Sequence, residues 1–222
     1  MSALGDVVLD LLYPPKCMLC GELLSDSDET VCRNCRYGDL PEYTGKDRTI
    51  PYFEMCTAPF FYEEPISDAI RRMKFHGMQS YVEQFAAWMA VPVRDQMAGK
   101  IDLISWVPCS RRRVWTRGFD QAKLLAEALA RDLQLEACCT LRKVKHNAKQ
   151  SKAANAAMRR ANVLGVYAAY QPERFRGKRI LLVDDVVTTG ATMSECGKVL
   201  KLAGSGELYC AAVAAVHGDK NE

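Results

Sequence analysis

Residues 180–192, with the sequence ILLVDDVVTTGAT, constrain the fold more than any other stretch of the chain. The four consecutive aliphatic residues 180–183 are typical of a strand that is buried on both faces, as in a parallel sheet. From Met193 onward, apolar residues recur at helical spacing. The sequence therefore predicts a buried strand that ends in two carboxylates and passes through a small, hydroxyl-rich turn into a helix.

The turn between this strand and the helix has the composition of a phosphate site. The first N–H groups of a helix lack partners and the helix dipole is positive there, which suits an anion. The threonine hydroxyls add donors, and Gly190 lets the backbone approach a ligand closely. Asp184 and Asp185 would repel a phosphate, so we expect them to face ribose hydroxyls or a hydrated Mg²⁺. The alternative is a buried strand whose aspartates only cap the next helix.

The composition is that of an ordinary globular protein, with 49% apolar and 26% charged residues, which argues against extensive disorder. No apolar run approaches the roughly 18 residues that cross a membrane. The N-terminus lacks the basic region of a secretory signal. We therefore expect a cytoplasmic protein with no membrane span.

Charge is unevenly distributed along the chain. Residues 1–65 carry 5 lysines and arginines against 12 acids, whereas residues 66–222 carry 25 against 15. No acid lies between Glu136 and Glu173, a segment rich in lysine and arginine. This pattern predicts an anionic ligand, either pyrophosphate or a nucleic-acid backbone. A solvated basic face is the alternative.

Two Cys-x-x-Cys pairs, Cys17 with Cys20 and Cys32 with Cys35, lie close together near the N-terminus. Each pair can form a tight knuckle, and four thiolates complete a tetrahedral Zn²⁺ site with no open position. The spacing therefore predicts a structural zinc ribbon that unfolds without its metal. Disulfide bonds are the alternative, but they fit poorly with a chain expected to be cytoplasmic.

The composition along the chain predicts four segments. Helical spacing indicates an N-terminal helix over residues 1–13, which Pro14 and Pro15 end. The zinc-ribbon module then occupies residues 14–40, a linker residues 41–56, and the main domain residues 57–222. In this last segment strands alternate with helices, which predicts an α/β fold with an open parallel sheet.

A second basic cluster follows the strand predicted at residues 101–107. It includes Arg111, Arg113 and Arg117, and it precedes a predicted helix. In an open α/β sheet such a loop lies at the carboxyl edge of the strands, where ligands bind. These arginines are therefore candidates to hold an anion, and a role in solubility alone is the alternative.

The motif at residues 180–192 closely resembles the phosphoribosyl-pyrophosphate (PRPP) signature of type I phosphoribosyltransferases. A longer series resembles the ComF family, which includes ComFC- and GntX-type proteins and joins a zinc ribbon to a phosphoribosyltransferase-like domain. That series comprises Pro-Pro-x-Cys-x-x-Cys, the second Cys-x-x-Cys, Lys74-Phe75-His-Gly77, Arg117-Gly-Phe-Asp-Gln121, Gln150 and Arg160-Ala-Asn162. One departure is Asp120, where the family usually has Asn, and we expect Asp120 to cap the following helix.

The resemblance implies which residues hold PRPP and Mg²⁺. The aspartates would bind the ribose hydroxyls, and the threonine turn would bind the 5′-phosphate. The implied PRPP contacts are Asp184, Asp185, Val187, Thr188, Thr189, Gly190, Ala191, Thr192 and Arg117. The implied catalytic residues are Asp184 and Asp185, with Arg111, Arg113, Lys145 and Lys149 on the pyrophosphate side.

The family is associated with competence, in which incoming single-stranded DNA is handled in the cytoplasm together with a helicase-like partner. The resemblance therefore implies a PRPP-binding protein that acts in natural transformation and contacts DNA through a basic face. The alternative is an active salvage phosphoribosyltransferase that joins PRPP to a purine or pyrimidine base. No aromatic element that would bind such an acceptor is recognisable in the sequence.

Overall fold

The computed structural model describes residues 14–25, 29–44, 48–75, 80–144 and 165–217. The helix predicted over residues 1–13 lies outside these residues. The predicted site residues Lys145 and Lys149 also lie outside them, as do the motif residues Gln150, Arg160 and Asn162. The helices are α1 Arg33–Arg36, α2 Ile66–Phe75, α3 Tyr81–Met97, α4 Arg111–Arg117, α5 Gln121–Leu133 and α6 Ala191–Leu202. The strands are β1 Met55–Thr57, β2 Phe60–Phe61, β3 Leu103–Trp106, β4 Glu136–Ala137, β5 Leu141–Lys143, β6 Tyr167–Ala169, β7 Ile180–Val187 and β8 Leu208–Ala215.

The main sheet is parallel and has the order β1, β8, β7, β3, β4, with β2 pairing to the far end of β8. Its two long strands, β7 and β8, run side by side, with Leu182 opposite Cys210. Every residue of β8 is buried. This arrangement confirms the predicted parallel α/β sheet. The strand β8 lies inside the sheet rather than at its edge, because β1 and β2 pair with the side of β8 that faces away from β7.

The sheet is covered on both faces, as its continuous apolar strands predict. Residues of β7 alternate between the two sides, so that Leu181 and Val183 pack in one core with α2, α3 and α5. Ile180 and Leu182 pack in the other core, which includes buried residues of α6. The two short strands β5 and β6 form a separate antiparallel pair, and β6 packs against α6.

The zinc-ribbon residues share the larger core instead of forming one of their own. Met18 and Leu19, between the first two cysteines, are buried and belong to the same apolar cluster as Ile70 of α2. The Arg72 guanidinium donates to the carbonyl oxygens of Met18 and Leu19 at 2.7 and 3.0 Å. The ribbon is therefore fixed to α2 by both apolar and polar contacts.

The structure extends the sheet domain toward the N-terminus. The strand β1 begins at Met55, inside the segment predicted as a linker over residues 41–56, and Ile50 and Phe53 of that segment are buried against α6. Their apolar side chains make residues 50–56 part of the domain. None of the described helices is long and apolar enough to span a membrane.

Candidate functional site

The carboxyl end of β7 leads directly into the predicted phosphate turn. Val187 is the buried last residue of the strand, and Thr188 and Thr189 are exposed beyond it. Gly190 adopts a left-handed conformation, with φ of 75°, and α6 begins at Ala191. The turn thus presents two threonine side chains and the first N–H groups of a helix at the carboxyl edge of the sheet, which is the arrangement that an anion requires.

Arg48 and Ile50, which precede β1 in the chain, contact this turn. The Arg48 guanidinium donates to the carbonyl oxygen of Val187 at 3.2 Å and also to that of Thr188. A Cβ atom added at Gly190 would lie 3.2 Å from Cγ1 of Ile50, so the turn packs closely against that side chain. Glycine is needed here both for the backbone conformation and for this close approach.

The two aspartates differ in their partners. The Asp185 carboxylate accepts from the Lys74 ammonium at 2.8 Å, and both side chains are only 17% exposed. The Asp184 carboxylate accepts from the backbone N–H of Asp185 at 2.8 Å. Burial, together with the neighbouring Asp185 charge, raises the pKa of Asp184 to about 8. Asp185 is therefore the charge-paired member and Asp184 the member that readily takes up a proton.

The arginine segment after β3 is a short helix, where a loop was predicted. Ser110 caps the first turn of α4 by accepting from the N–H of Arg113 at 3.3 Å, and Gly118 ends the helix with φ of 83°. The Arg117 guanidinium lies 4.8 Å from the centre of the Phe75 ring and donates to Oε1 of Gln121 at 3.0 Å. These contacts fix Arg117 between α2 and α5.

The aspartates, the arginine helix and α2 enclose one cleft of about 1040 Å³. Its acidic lining residues are Asp184 and Asp185, and Thr192 enters it from α6. The cations that line it are Arg71, Lys74, Arg112, Arg113, Arg117 and Lys143. The cleft therefore combines a carboxylate pair with a strongly cationic lining, which suits a ligand with several phosphate charges.

Part of this cationic lining has no carboxylate partner within the described residues. Arg112 and Arg113 form none of the observed ion pairs, whereas Arg71, on the same cleft, is paired with Asp68 at 2.8 Å. Burial and the adjacent Arg113 charge lower the pKa of Lys143. Neighbouring cations without counter-ions create a positive potential that an anionic ligand would neutralise.

Asp120 and Cys109 have structural roles beside the cleft. Asp120 accepts from the N–H of Lys123 at 3.3 Å, so it caps α5 as predicted, and also from the N–H of Cys109 at 2.8 Å. Burial raises the pKa of Asp120 despite these hydrogen bonds. Burial and three nearby aspartates raise the pKa of the Cys109 thiol to about 11, so it is a thiol and not a reactive thiolate at neutral pH.

The four predicted zinc ligands converge. The sulfur atoms of Cys17, Cys20, Cys32 and Cys35 all lie within 4.8 Å of one another. The Sγ atoms of Cys20 and Cys32 are 3.7 Å apart. That spacing matches the edge of a tetrahedron with metal–sulfur bonds of about 2.3 Å and is far too long for a disulfide bond. The donor set therefore fits a structural Zn²⁺, and none of the ten cysteines forms a disulfide bond.

The structure brings many of the predicted site residues into one cleft, but not all of them. Asp184, Asp185, Arg113, Arg117 and Thr192 line it, whereas the predicted PRPP contacts Val187, Thr188, Thr189, Gly190 and Ala191 are not among its lining residues. Arg111 is exposed and does not line the cleft, because it lies on another face of α4 from Arg112 and Arg113. Lys145 and Lys149 lie outside the described residues, so their placement stays a prediction.

Several lining residues were missed by the sequence analysis as site residues. They are Tyr62, Arg71, Lys74, Phe75, Arg112, Lys143 and Tyr167. Lys74 and Phe75 had a signal, because they belong to the Lys-Phe-x-Gly motif of the family resemblance, and Arg112 and Lys143 lie in the two basic segments. Tyr62, Arg71 and Tyr167 come from elements whose proximity depends on the sheet order.

Comparisons with known proteins agree with this architecture. The family model of the phosphoribosyl transferase domain matches residues 120–222, and that of the double zinc ribbon domain matches residues 8–45. Competence protein F from Haemophilus influenzae is 34% identical over 153 residues, which cover 66% of this chain and 66% of that protein. The DNA utilization protein YhgH from Escherichia coli is 27% identical over 193 residues, 83% of either chain.

Among solved structures, the adenine phosphoribosyltransferase from Leishmania tarentolae is similar, with 18% sequence identity and a TM-score of 0.38. The match covers 62% of this chain and 58% of that chain.

A parallel sheet with an aspartate–threonine turn at its carboxyl edge, joined to a four-cysteine ribbon, defines a phosphoribosyltransferase-like domain of type I with a zinc-ribbon module. Both domain matches and the competence relatives identify one family that has this combination. The chain belongs to the ComF family.

Proposed function

We propose that this protein binds PRPP in the cleft and acts in the cytoplasm on DNA taken up during natural transformation. One observation carries the PRPP proposal: a carboxylate pair, Thr192 of the first turn of α6, and cations that include Arg113 and Lys143 line the same cleft. These groups match the three parts of PRPP, which are a ribose diol, a 5′-phosphate and a pyrophosphate.

In this proposal each part of the ligand has its own partners. The turn Thr188 to Thr192 holds the 5′-phosphate through backbone N–H groups and hydroxyls. Asp184 and Asp185 accept hydrogen bonds from the ribose hydroxyls. Arg113 and Lys143 face the pyrophosphate, because they are cations of the cleft for which no carboxylate partner is observed.

Mg²⁺ fits the chemistry of the donor set, since Asp184 and Asp185 offer carboxylate oxygens and hard divalent ions prefer oxygen ligands. When bound with pyrophosphate, the ion would neutralise part of its charge. The protein's own contribution to any transfer reaction is the stabilisation of the leaving pyrophosphate by Arg113 and Lys143. No side chain is needed as a nucleophile, which agrees with the protonated state of Cys109.

DNA contact is proposed from two features. Relatives are named for competence and DNA utilization. On this chain, Arg111 and Arg112 are exposed on α4, and neither forms an ion pair within the described residues. Free arginines of this kind bind phosphates of a DNA backbone. A helicase-like partner remains a prediction from the family resemblance, and ten cysteines without a disulfide bond agree with a reducing compartment.

The PRPP proposal is tested by calorimetry with and without Mg²⁺. We expect Mg²⁺-dependent affinity for PRPP that the double substitution Asp184→Ala with Asp185→Ala abolishes. A matched control is Asp132→Ala, which removes a carboxylate that pairs with Arg94 away from the cleft. Unchanged PRPP affinity in the double variant would show that the carboxylate pair does not bind the ribose.

DNA contact is tested separately by measuring single-stranded DNA affinity against salt concentration. We expect a negative slope of log affinity against log salt that becomes shallower by about one unit in Arg111→Gln, because one phosphate contact is lost. A slope near zero in the native protein excludes backbone contacts. The second candidate function, a salvage transferase, predicts release of pyrophosphate when PRPP is supplied with one particular base.

A further inference from the structure

The Phe75 ring, which lines the cleft, is largely exposed. Phe75 is the last residue of α2, and it is 66% exposed although side chains of its type are usually buried. It lines the same cleft as Asp184 and Asp185. An apolar ring beside charged groups does not bind phosphates, but it offers a flat apolar surface to another part of a ligand.

One side of this ring is supported by a fixed cation. The guanidinium carbon of Arg117 lies 4.8 Å from the ring centre, and its Nη1 donates to Gln121 at 3.0 Å. Gln121 is almost fully buried in α5. The contact orients the ring and leaves much of its surface uncovered, which is the condition of a stacking platform.

The position of the ring relative to the carboxylate pair suits the base of a nucleotide. The preceding residue, Lys74, has its Nζ atom 2.8 Å from Oδ1 of Asp185. The ring is therefore one residue away from the group that contacts the proposed ribose site. The cleft, at about 1040 Å³, is at the upper limit of the roughly 300–1,000 Å³ of small-ligand pockets, so it has room for a base beside the ribose and phosphates.

We propose that Phe75, backed by Arg117, is a stacking platform for a nucleobase whose ribose lies on Asp184 and Asp185. This inference rests on the proposed binding of a ribose phosphate in the cleft. The ligand chemistry is the flat face of a purine or pyrimidine. Its source is either a free base presented to PRPP or a base of a single DNA strand, and stacking of this kind tolerates any base.

The test compares ligands that differ only by the base. Calorimetry with the full chain, zinc included, gives the affinities of ribose 5-phosphate, AMP and UMP. We expect AMP and UMP to bind about tenfold or more tightly than ribose 5-phosphate, since one stacked base contributes this much. Phe75→Ala removes most of that gain, and Phe75→Tyr retains it because the ring remains.

Trp115→Ala provides the matched control, because Trp115 is an 86% exposed aromatic of α4 that does not line the cleft. We expect it to keep the gain from the base. A gain that survives Phe75→Ala, or that falls equally in Trp115→Ala, would overturn the stacking role. Absence of any gain in the native protein, while PRPP and ribose 5-phosphate still bind, would overturn it as well.

A second arm identifies the source of the base. A short oligodeoxynucleotide with a 5′-phosphate is titrated into the native protein and into Phe75→Ala. A loss of affinity in the variant assigns the platform to a base of a DNA strand, and a loss confined to AMP and UMP assigns it to a free base. If native protein binds neither PRPP nor ribose 5-phosphate, the proposed function itself fails, which distinguishes that result from failure of the platform alone.

Discussion

The Lys74 ammonium lies 2.8 Å from the Asp185 carboxylate, and this ion pair joins the end of α2 to the end of β7. Both side chains are 17% exposed, so the pair is shielded far better than the surface ion pairs of the chain. Since α2 also holds the zinc ribbon through Arg72, a single helix contacts both the metal module and the proposed ribose site.

Replacing Lys74 by methionine is expected to weaken PRPP binding by about tenfold or more. The Asp185 charge then loses its partner in a largely buried position, and it repels the anionic ligand. Calorimetry with PRPP measures the effect. The control is Arg94→Met, which breaks an ion pair of equal length with Asp132 outside the cleft, and equal losses in the two variants would contradict a specific role for Lys74.

The raised pKa of Asp184 predicts a pH-dependent gain in stability for Asp184→Asn. The pKa is about 8 in the folded protein and about 3.9 in an unfolded chain. Between these values the folded state binds a proton that the unfolded state does not. The contribution of Asp184 to the stability of the folded state is therefore complete below pH about 4, and it is lost as the pH rises through 8.

Asparagine cannot ionise and removes this loss, so we expect a higher Tm than the native protein at pH 8 and no difference near pH 4. For a chain of this length, each 1 kcal/mol shifts Tm by about 2–4 °C. Asp185→Asn is the control, because it removes the partner of Lys74 and should not be stabilising. A Tm difference that is equal at both pH values would show that folding does not raise the pKa of Asp184.

Loss of zinc is expected to destabilise the main domain as well as the ribbon. Cys20→Ser should abolish binding of about one zinc ion per chain, measured by elemental analysis. It should also lower Tm, since Met18 and Leu19 belong to the core that contains α2. Cys139→Ser removes a thiol outside the cluster and should retain the metal. An unchanged Tm in metal-free protein would mean that the ribbon's packing does not depend on zinc.

The cap at Asp120 predicts graded results for two substitutions. Asp120→Ala removes the acceptors for the N–H groups of Lys123 and Cys109, and should cost about 1 kcal/mol of unfolding free energy. Asp120→Asn keeps one of the two oxygen acceptors and turns its amide nitrogen, a donor, toward the other N–H group, so its stability should lie between those of Asp120→Ala and the native protein. Denaturant unfolding at pH 7 compares them, and a larger loss for Asn than for Ala would contradict the capping role.

Local patterns in the sequence were sufficient for much of the fold. The run 180–183 and the residues after it predicted β7, a turn at Gly190 and a helix beyond it, because each depends on residues close in the chain. The same holds for the cysteine pairs, whose spacing predicted the four converging sulfur atoms. The helix α4 was missed, since its arginines show no apolar periodicity, although Ser110 and Gly118 are its usual end signals.

The composition of the cleft wall could not be predicted in this way. Lys74 and Asp185 are far apart in the sequence, and no spacing rule connects a helix before β3 with the end of β7. The sequence also did not reveal the element that we propose to bind a base, since the exposure of Phe75 beside the cleft depends on how α2 packs.

The sequence by itself determined the chemistry available at the edge of the sheet: two carboxylates, a phosphate turn, a basic segment and four zinc-binding thiols. Only the tertiary structure decided which of these groups share one space, that Arg113 lines the cleft while Arg111 does not, and that Lys74 is the partner of Asp185. The physical reason is that strand identity and turn conformation are local properties. Proximity across the sheet instead depends on strand order and helix packing, which many distant apolar residues set together.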